Sequence, residues 1–362
     1  MSRREVVDPA QVQVFHTFQR CVRRAFLCGR DELTNRSFEH RRQWVRVRLE
    51  FLASVFGIDC LTFTVMENHL HLVLRTRPDV VAEWSDAEVA KRWLRLFPGR
   101  REKTGNPSET PSQNAINEII NQPEMLAERR RRLSDISWWM RCISEDIARR
   151  ANLEDKCTGR FWEGRFRLQT ILDEAGLLAC AAYVDLNPIR AAIADTPESS
   201  AFTGAKERID DLSQTNGRTE TKGQVAPGTH QWERSEQCLK SGWMSPIEMD
   251  EKSDPVGPCV DDSGRRASFK GFLALPLKKY LELLDWTGRQ VRSDKIGAIP
   301  KHLLPILTRI GVDSGSWCSL VETFDSVFKT AAGTPASLAR EAIRRKRNWL
   351  CAPENPLGVS SA

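Results

Sequence analysis

The run Thr64-Val65-Met66-Glu67-Asn68-His69-Leu70-His71-Leu72-Val73-Leu74 leaves the folding chain little freedom. It reads as the end of one strand, a two-residue turn at Glu67-Asn68, and the start of a second strand with apolar residues on both faces. Side chains two apart on a strand share a face, so His69 and His71 present their imidazoles side by side. Two neutral imidazoles on one rigid face are the beginning of a divalent-metal site, because each offers a lone pair from fixed backbone. The same spacing also describes two histidines on the solvated face of a sheet, and spacing alone does not separate the two.

Periodicity sorts the chain on either side of this hairpin. Residues 11–19 alternate polar and apolar, the mark of a half-buried strand, and His16 on it reads as structural. Over 38–56, Trp44, Val45, Leu49, Leu52, Val55 and Phe56 form a helical stripe, with Arg41, Arg42, Arg46 and Arg48 mostly off it. Gly57 stands where a glycine terminates a helix in the left-handed conformation, and 58–65 is the next strand. Residues 79–133 read as a helical insertion. Ser85 caps a helix bearing Trp93, Leu94 and Phe97, and a polar loop spans 98–112. A second helix then runs through Ile116, Ile119 and Ile120 to Arg129-Arg130-Arg131-Arg132. Those arginines read as a solvated helix end or as contacts to single-stranded DNA. A helix over 134–152 precedes Gly159-Arg160-Phe161-Trp162-Glu163-Gly164-Arg165-Phe166-Arg167, a strand at 168–172 and a last helix from Asp173. The first six main elements run β-α-β-β-α-β. That order predicts an α+β, ferredoxin-like fold, a small antiparallel sheet with helices on one face.

With 362 residues the chain exceeds an average single core. The predicted division is a first domain over 1–203, a flexible linker over 204–266, a C-terminal helical region over 267–352 and a tail over 353–362. The linker expectation rests on Asp, Ser, Thr, Gly, Pro and Lys replacing any apolar period. In the C-terminal region, 277–286, 300–310, 315–332 and 335–350 read as helices. No apolar run is long enough to span a bilayer, and Ser-Arg-Arg-Glu after Met1 lacks the apolar segment of a secretory signal, so no membrane partner and a cytoplasmic location are expected. The ten cysteines form no C-x-x-C and read as reduced thiols. A net charge of +6 permits nucleic-acid binding without demanding it.

The second chemical cluster is Ala182-Tyr183-Val184-Asp185-Leu186-Asn187-Pro188-Ile189-Arg190. Residues four apart on a helix sit one above the other, so Tyr183 and Asn187 face one point, and Pro188 sets Asn187 at a kink or helix end. A phenol attacks a phosphodiester when a metal polarises the phosphate, and an amide carbonyl suits a hard cation that also accepts imidazole. An amphipathic core tyrosine with a satisfied hydroxyl is the other reading of Tyr183. Arg190 is placed to meet a phosphate or Asp185. Glu67 reads as an acceptor that tunes the histidines or as an ordinary turn carboxylate.

Taken together, His69-Leu70-His71 after Glu67-Asn68, the Arg-Phe-Trp-Glu-Gly-Arg-Phe segment, and Tyr183-x-x-x-Asn187-Pro188-x-Arg190 resemble the single-tyrosine HUH transposases. That superfamily includes insertion-sequence single-strand transposases and REP-associated tyrosine transposases, and the resemblance covers about 12–197. It implies His69 and His71 as metal-binding pair, Asn187 as third ligand, Tyr183 as the nucleophile forming a 5′-phosphotyrosine link, and Mg²⁺ or Mn²⁺ as the cofactor. Asn at 187 is the residue of the REP-associated branch, where the mobile insertion-sequence branch has Gln. The implied partner is single-stranded or hairpin DNA, with a homodimer as a further option and a prokaryotic, nucleoid-associated setting. Arg160, Arg165 and Arg167 are expected to track phosphates or to form a solvated edge, and Trp162 to stack on a base or pack in the sheet core. The insertion at 79–133 and the C-terminal half have no counterpart in the minimal family domain. Two other functions stay open: a DNA-hairpin binder without turnover, and a relaxase- or replication-initiator-type nickase.

Overall fold

The structure, a computed structural model, describes residues 6–22, 26–98, 111–219, 239–249, 257–292, 307, 312 and 314–350. The fold is α+β and centres on a five-stranded mixed sheet of order β2-β3-β1-β4-β5. The strands are β1 (Val14–Arg20), β2 (Ile58–Val65), β3 (His69–Thr76), β4 (Arg167–Ile171) and β5 (Ala331–Ala332). The first four pair antiparallel, while β5 joins β4 in parallel. The hairpin closes through Met66 N–H donating to His69 O at 2.9 Å, which leaves Glu67-Asn68 as the turn.

Alternation along β3 divides the apolar residues between two cores. Leu70, Leu72 and Leu74 pack with α1 (His40–Val55) and α6 (Ile136–Glu154), whereas Val73 packs with α7 (Glu174–Asp185) and the C-terminal helices. The sheet is therefore covered on both faces, which corrects the expectation of helices on one face. The correction has a composition signature: every residue of β2 is buried, as a strand with two covered faces requires. The second layer comes from sequence-distant residues. Helix Ser314–Val327 lies on α7, and β5 extends the sheet beyond β4.

Three further expectations change. Part of 204–266 is ordered, beginning with helix Gly204–Thr219. Its buried positions include the charged residues Glu207, Arg208 and Asp211, so no apolar stripe advertises the helix. Arg208 donates to Leu61 O at 2.6 Å and Ser245 N–H donates to Cys60 O at 3.0 Å, covering the outer edge of β2. The insertion helix expected through 116–132 is two helices, α4 (Gln113–Ile120) and α5 (Pro123–Arg132), because Pro123 lacks an N–H and starts a new first turn. Gly57 has no left-handed backbone; it is needed for space, since a Cβ there would lie 2.1 Å from Val81 Cγ2. Most of the predicted loop at 98–112, nearly all of the helix at 300–310 and the tail at 353–362 lie outside the described residues. Among the described residues, no helix is long and apolar enough to cross a membrane.

Asp59 is the polar hub of the β2–β3 side. It is 1% exposed and receives Arg75 at 2.8 Å, Arg77 at 3.2 Å and the Ser268 hydroxyl at 2.8 Å. Removing the carboxylate leaves the buried Arg75 guanidinium without its counter-charge, while Arg77 keeps Asp79 at 2.8 Å. We expect Asp59→Ala to lower unfolding free energy by about 3–5 kcal/mol in urea titrations; a loss below about 1 kcal/mol would show that this network is dispensable.

Candidate active site

The candidate site lies on the sheet face crossed by α7. Position 71 on β3 is opposite Phe18 on β1, and position 16 on β1 is opposite Gln169 on β4, so three neighbouring strands contribute. Asp173 caps α7 by accepting from Gly176 N–H at 2.9 Å, and α7 ends at Asp185. The helix resumes as α8 (Asn187–Arg190) with Pro188 in its first turn, which turns Asn187 back over the sheet.

The two histidines of β3 have ring centroids 4.9 Å apart at 82°. His69 is partly exposed, and its Nδ1 donates to Asn68 Oδ1 at 2.6 Å, leaving Nε2 without a proton. His71 is 1% exposed; its Nδ1 meets His16 Nε2 at 2.9 Å and its Nε2 meets Asn187 Nδ2 at 3.3 Å. Tyr183 sets its ring edge-on to His71, with centroids 5.5 Å apart, and Arg190 places its guanidinium carbon 4.6 Å from the tyrosine ring centroid. Phe18 lies beneath the pair, 5.2 Å from His69 and 4.9 Å from His71. Phe324, from helix Ser314–Val327, covers Tyr183 at 5.5 Å.

Burial dominates the electrostatics. It lowers His69 to about 4, with help from Arg20, and it drives His71 well below the ordinary imidazole range, with His16 and His69 adding to the effect. Burial also raises the Tyr183 phenol; Asp325 pushes the same way and Arg190 opposes it. Both β3 imidazoles are thus neutral near pH 7, each with one bare ring nitrogen, that of His71 facing the Asn187 amide nitrogen.

Of the residues singled out from the sequence, His69, His71, Tyr183, Asn187 and Arg190 come together. Arg190 does not pair with Asp185, which points away into the core; it donates instead to Glu322 O. Arg160, Arg165 and Trp162 lie elsewhere, in an open groove of ≈ 620 Å³ also lined by Gln19, Arg141 and Ser144. Both arginines are exposed, whereas Trp162 is 8% exposed and donates its indole N–H to Ser144 O at 2.9 Å, as a packed core residue does. Arg167 sits between the two places, its guanidinium carbon 5.6 Å from the Phe18 ring centroid. The Glu67 side chain lies over Gly29.

Comparison with protein-family models, with curated proteins and with solved structures gives no match to this chain. The site therefore rests on its own geometry. Among the described residues no three His, Cys, Asp or Glu side chains are grouped to hold a metal ion. A ligand set here needs the Asn187 amide oxygen beside His69 and His71. The donor types suit a divalent cation, since both imidazoles are neutral, but the Asn187 atom that meets His71 Nε2 is its amide nitrogen, so holding a cation requires that amide to turn its oxygen toward the histidines.

Sequence reading missed His16, Gln169, Phe18 and Phe324. His16 and Phe18 share a strand face by their spacing, but their position against His71 depends on strand register, which no single segment encodes.

The depressed histidines give a pH test. Between the ordinary imidazole value near 6.5 and the folded value of about 4, the unfolded chain binds a proton at His69 and the folded chain does not. Stability is full above that window and is lost as pH falls through it, by roughly 1–2 kcal/mol from His69 alone at pH 5. Urea midpoints at pH 7.5 and 5.0 should separate less in His69→Gln than in the unsubstituted protein. Equal separation would mean that His69 folds without losing basicity.

Proposed function

We propose that this chain is a tyrosine-dependent DNA strand-transferase of the single-tyrosine HUH kind, acting on single-stranded or hairpin DNA. One observation carries the reading: a phenol, two neutral imidazoles and an amide from two remote segments converge on one sheet face, with a guanidinium above the phenol. The strand order β2-β3-β1-β4, antiparallel throughout and joined by α1 and α6 on one face, supports a ferredoxin-like core beneath the C-terminal additions.

In this reading Tyr183 Oη attacks a phosphodiester. An O–P bond forms to the 5′ side of the nick, the bond from phosphorus to the 3′ oxygen breaks, and that oxygen takes up a proton as the phenol gives one up. A later 3′-hydroxyl reverses the step on a new strand end. Bound Mg²⁺ or Mn²⁺ supplies charge neutralisation at the phosphate. His69, His71 and Asn187 are the residues that would hold it. The chain itself contributes the rest. Arg190 stabilises developing charge near the phenol, Phe18 holds the imidazoles in place, Arg167 beside Phe18 meets a neighbouring phosphate, and Arg160 and Arg165 in the separate groove meet phosphates further along the strand.

The second reading is a DNA-hairpin binder without turnover. It is favoured by the burial of Tyr183, 6% exposed beneath Phe324. A covalent assay separates the two. Labelled single-stranded oligonucleotides with Mn²⁺ should give an SDS-stable adduct with the unsubstituted chain and none with Tyr183→Phe, whose stability should fall by at most about 1 kcal/mol. DNA binding by both proteins with an adduct from neither would establish the binder.

Salt dependence tests the groove. On a single strand, log K should fall by about 0.7 per neutralised phosphate for each unit of log salt. Arg160→Ala and Arg165→Ala should each reduce that slope by about 0.7. An unchanged slope in both variants would place the DNA elsewhere.

A further inference from the structure

His16 and Gln169 are buried polar residues, 2% and 4% exposed, for which the chemistry above assigns no part. They form a chain of hydrogen bonds whose direction is set at one end. Phe328 O is a backbone carbonyl and can only accept, so Gln169 Nε2, 2.6 Å away, donates to it. The other side of that amide is then the oxygen, and Oε1 can only accept. Its partner at 3.0 Å is His16 Nδ1, which must carry a proton. A neutral imidazole protonated at Nδ1 is bare at Nε2. That bare nitrogen lies 2.9 Å from His71 Nδ1, so His71 Nδ1 carries the next proton. His71 Nε2, facing Asn187, is left with its lone pair.

This proton order holds with both rings neutral. Their burial disfavours the imidazolium, and among the described residues no carboxylate is hydrogen-bonded to either ring. It also needs rigidity. Gln169 and His16 are direct cross-strand neighbours, His71 is diagonal to His16 on the next strand, and the two imidazole planes lie within 9°.

We infer that Gln169 and His16 are positioning residues that lock His71 in its Nδ1–H tautomer, with the Nε2 lone pair aimed at the cation-holding side. The link to a cation rests on the strand-transferase reading; the tautomer does not. Hydrogen-bond partners of this kind orient a ligating imidazole and typically change metal affinity 10–100-fold when removed.

The test is long-range ¹H–¹⁵N correlation of the full-length, metal-free protein labelled at histidine. His16 and His71 should both appear as single Nδ1–H tautomers. In Gln169→Leu and in His16→Phe the His71 signals should move to a mixture or to Nε2–H, and Mn²⁺ affinity, read from free Mn²⁺ by electron paramagnetic resonance, should fall about 10–100-fold. An Nε2–H tautomer of His71 in the unsubstituted protein would overturn the inference, and this needs no variant to fold. An unchanged His71 tautomer in a folded Gln169→Leu would overturn it equally. If the tautomers are as expected but Mn²⁺ does not bind and no DNA adduct forms, the relay stands and the strand-transferase reading falls.

Discussion

A buried carboxylate holds this architecture in register. Asp185 is fully enclosed at the end of α7 and accepts from Thr62 at 2.6 Å on β2, from the Ala205 N–H at 3.1 Å, and from the Tyr280 hydroxyl at 2.6 Å. Burial raises its pKa, yet four neighbours that favour the charged form oppose that rise, the strongest being Arg208. One side chain thus ties the helix bearing Tyr183 to the sheet, to helix Gly204–Thr219 and to helix Leu277–Arg292. Because Tyr183 and Asn187 sit two residues before and two after Asp185, the peg that points inward fixes how the other two point toward the histidines.

Much of the sheet was legible from local pattern. Alternation marked β1, the His-Leu-His run marked β3, and the turn at Glu67-Asn68 follows from the apolar residues on each side. The candidate site was half legible. His69, His71, Tyr183, Asn187 and Arg190 could be picked out because their spacing within a strand or a helix is a local property. His16 and Gln169 could not, since the contact that gives them meaning exists only after three strands are paired. Gln169 in particular looks like an ordinary polar residue of an edge strand until β5 and Phe328 enclose it.

The C-terminal half was the least legible part, for a related reason. Helix Ser314–Val327 buries its apolar stripe against α7, and helix Leu277–Arg292 packs on α8 and on helix Ser314–Val327, so periodicity revealed helices but not their partners. The stretch near 204–219 was missed because its buried groups are charged and paired: Glu207 receives the Trp243 indole at 2.9 Å and Arg46 at 2.9 Å. Hydropathy records such residues as solvated. Only the finished set of hydrogen bonds shows that they are interior.

The anchoring of the imidazole chain at Phe328 O has a consequence for synthesis. A ribosome delivers the chain from its N-terminus, and every residue with a proposed chemical part has emerged by Arg190. The carbonyl that orients Gln169, and the phenylalanine that covers Tyr183, arrive well over a hundred residues later. An unfinished or prematurely terminated chain therefore carries all of the candidate site residues without the late contacts of Phe324 and Phe328. The ordering of the candidate site is thus completed by the segment that leaves the ribosome last among its contacts.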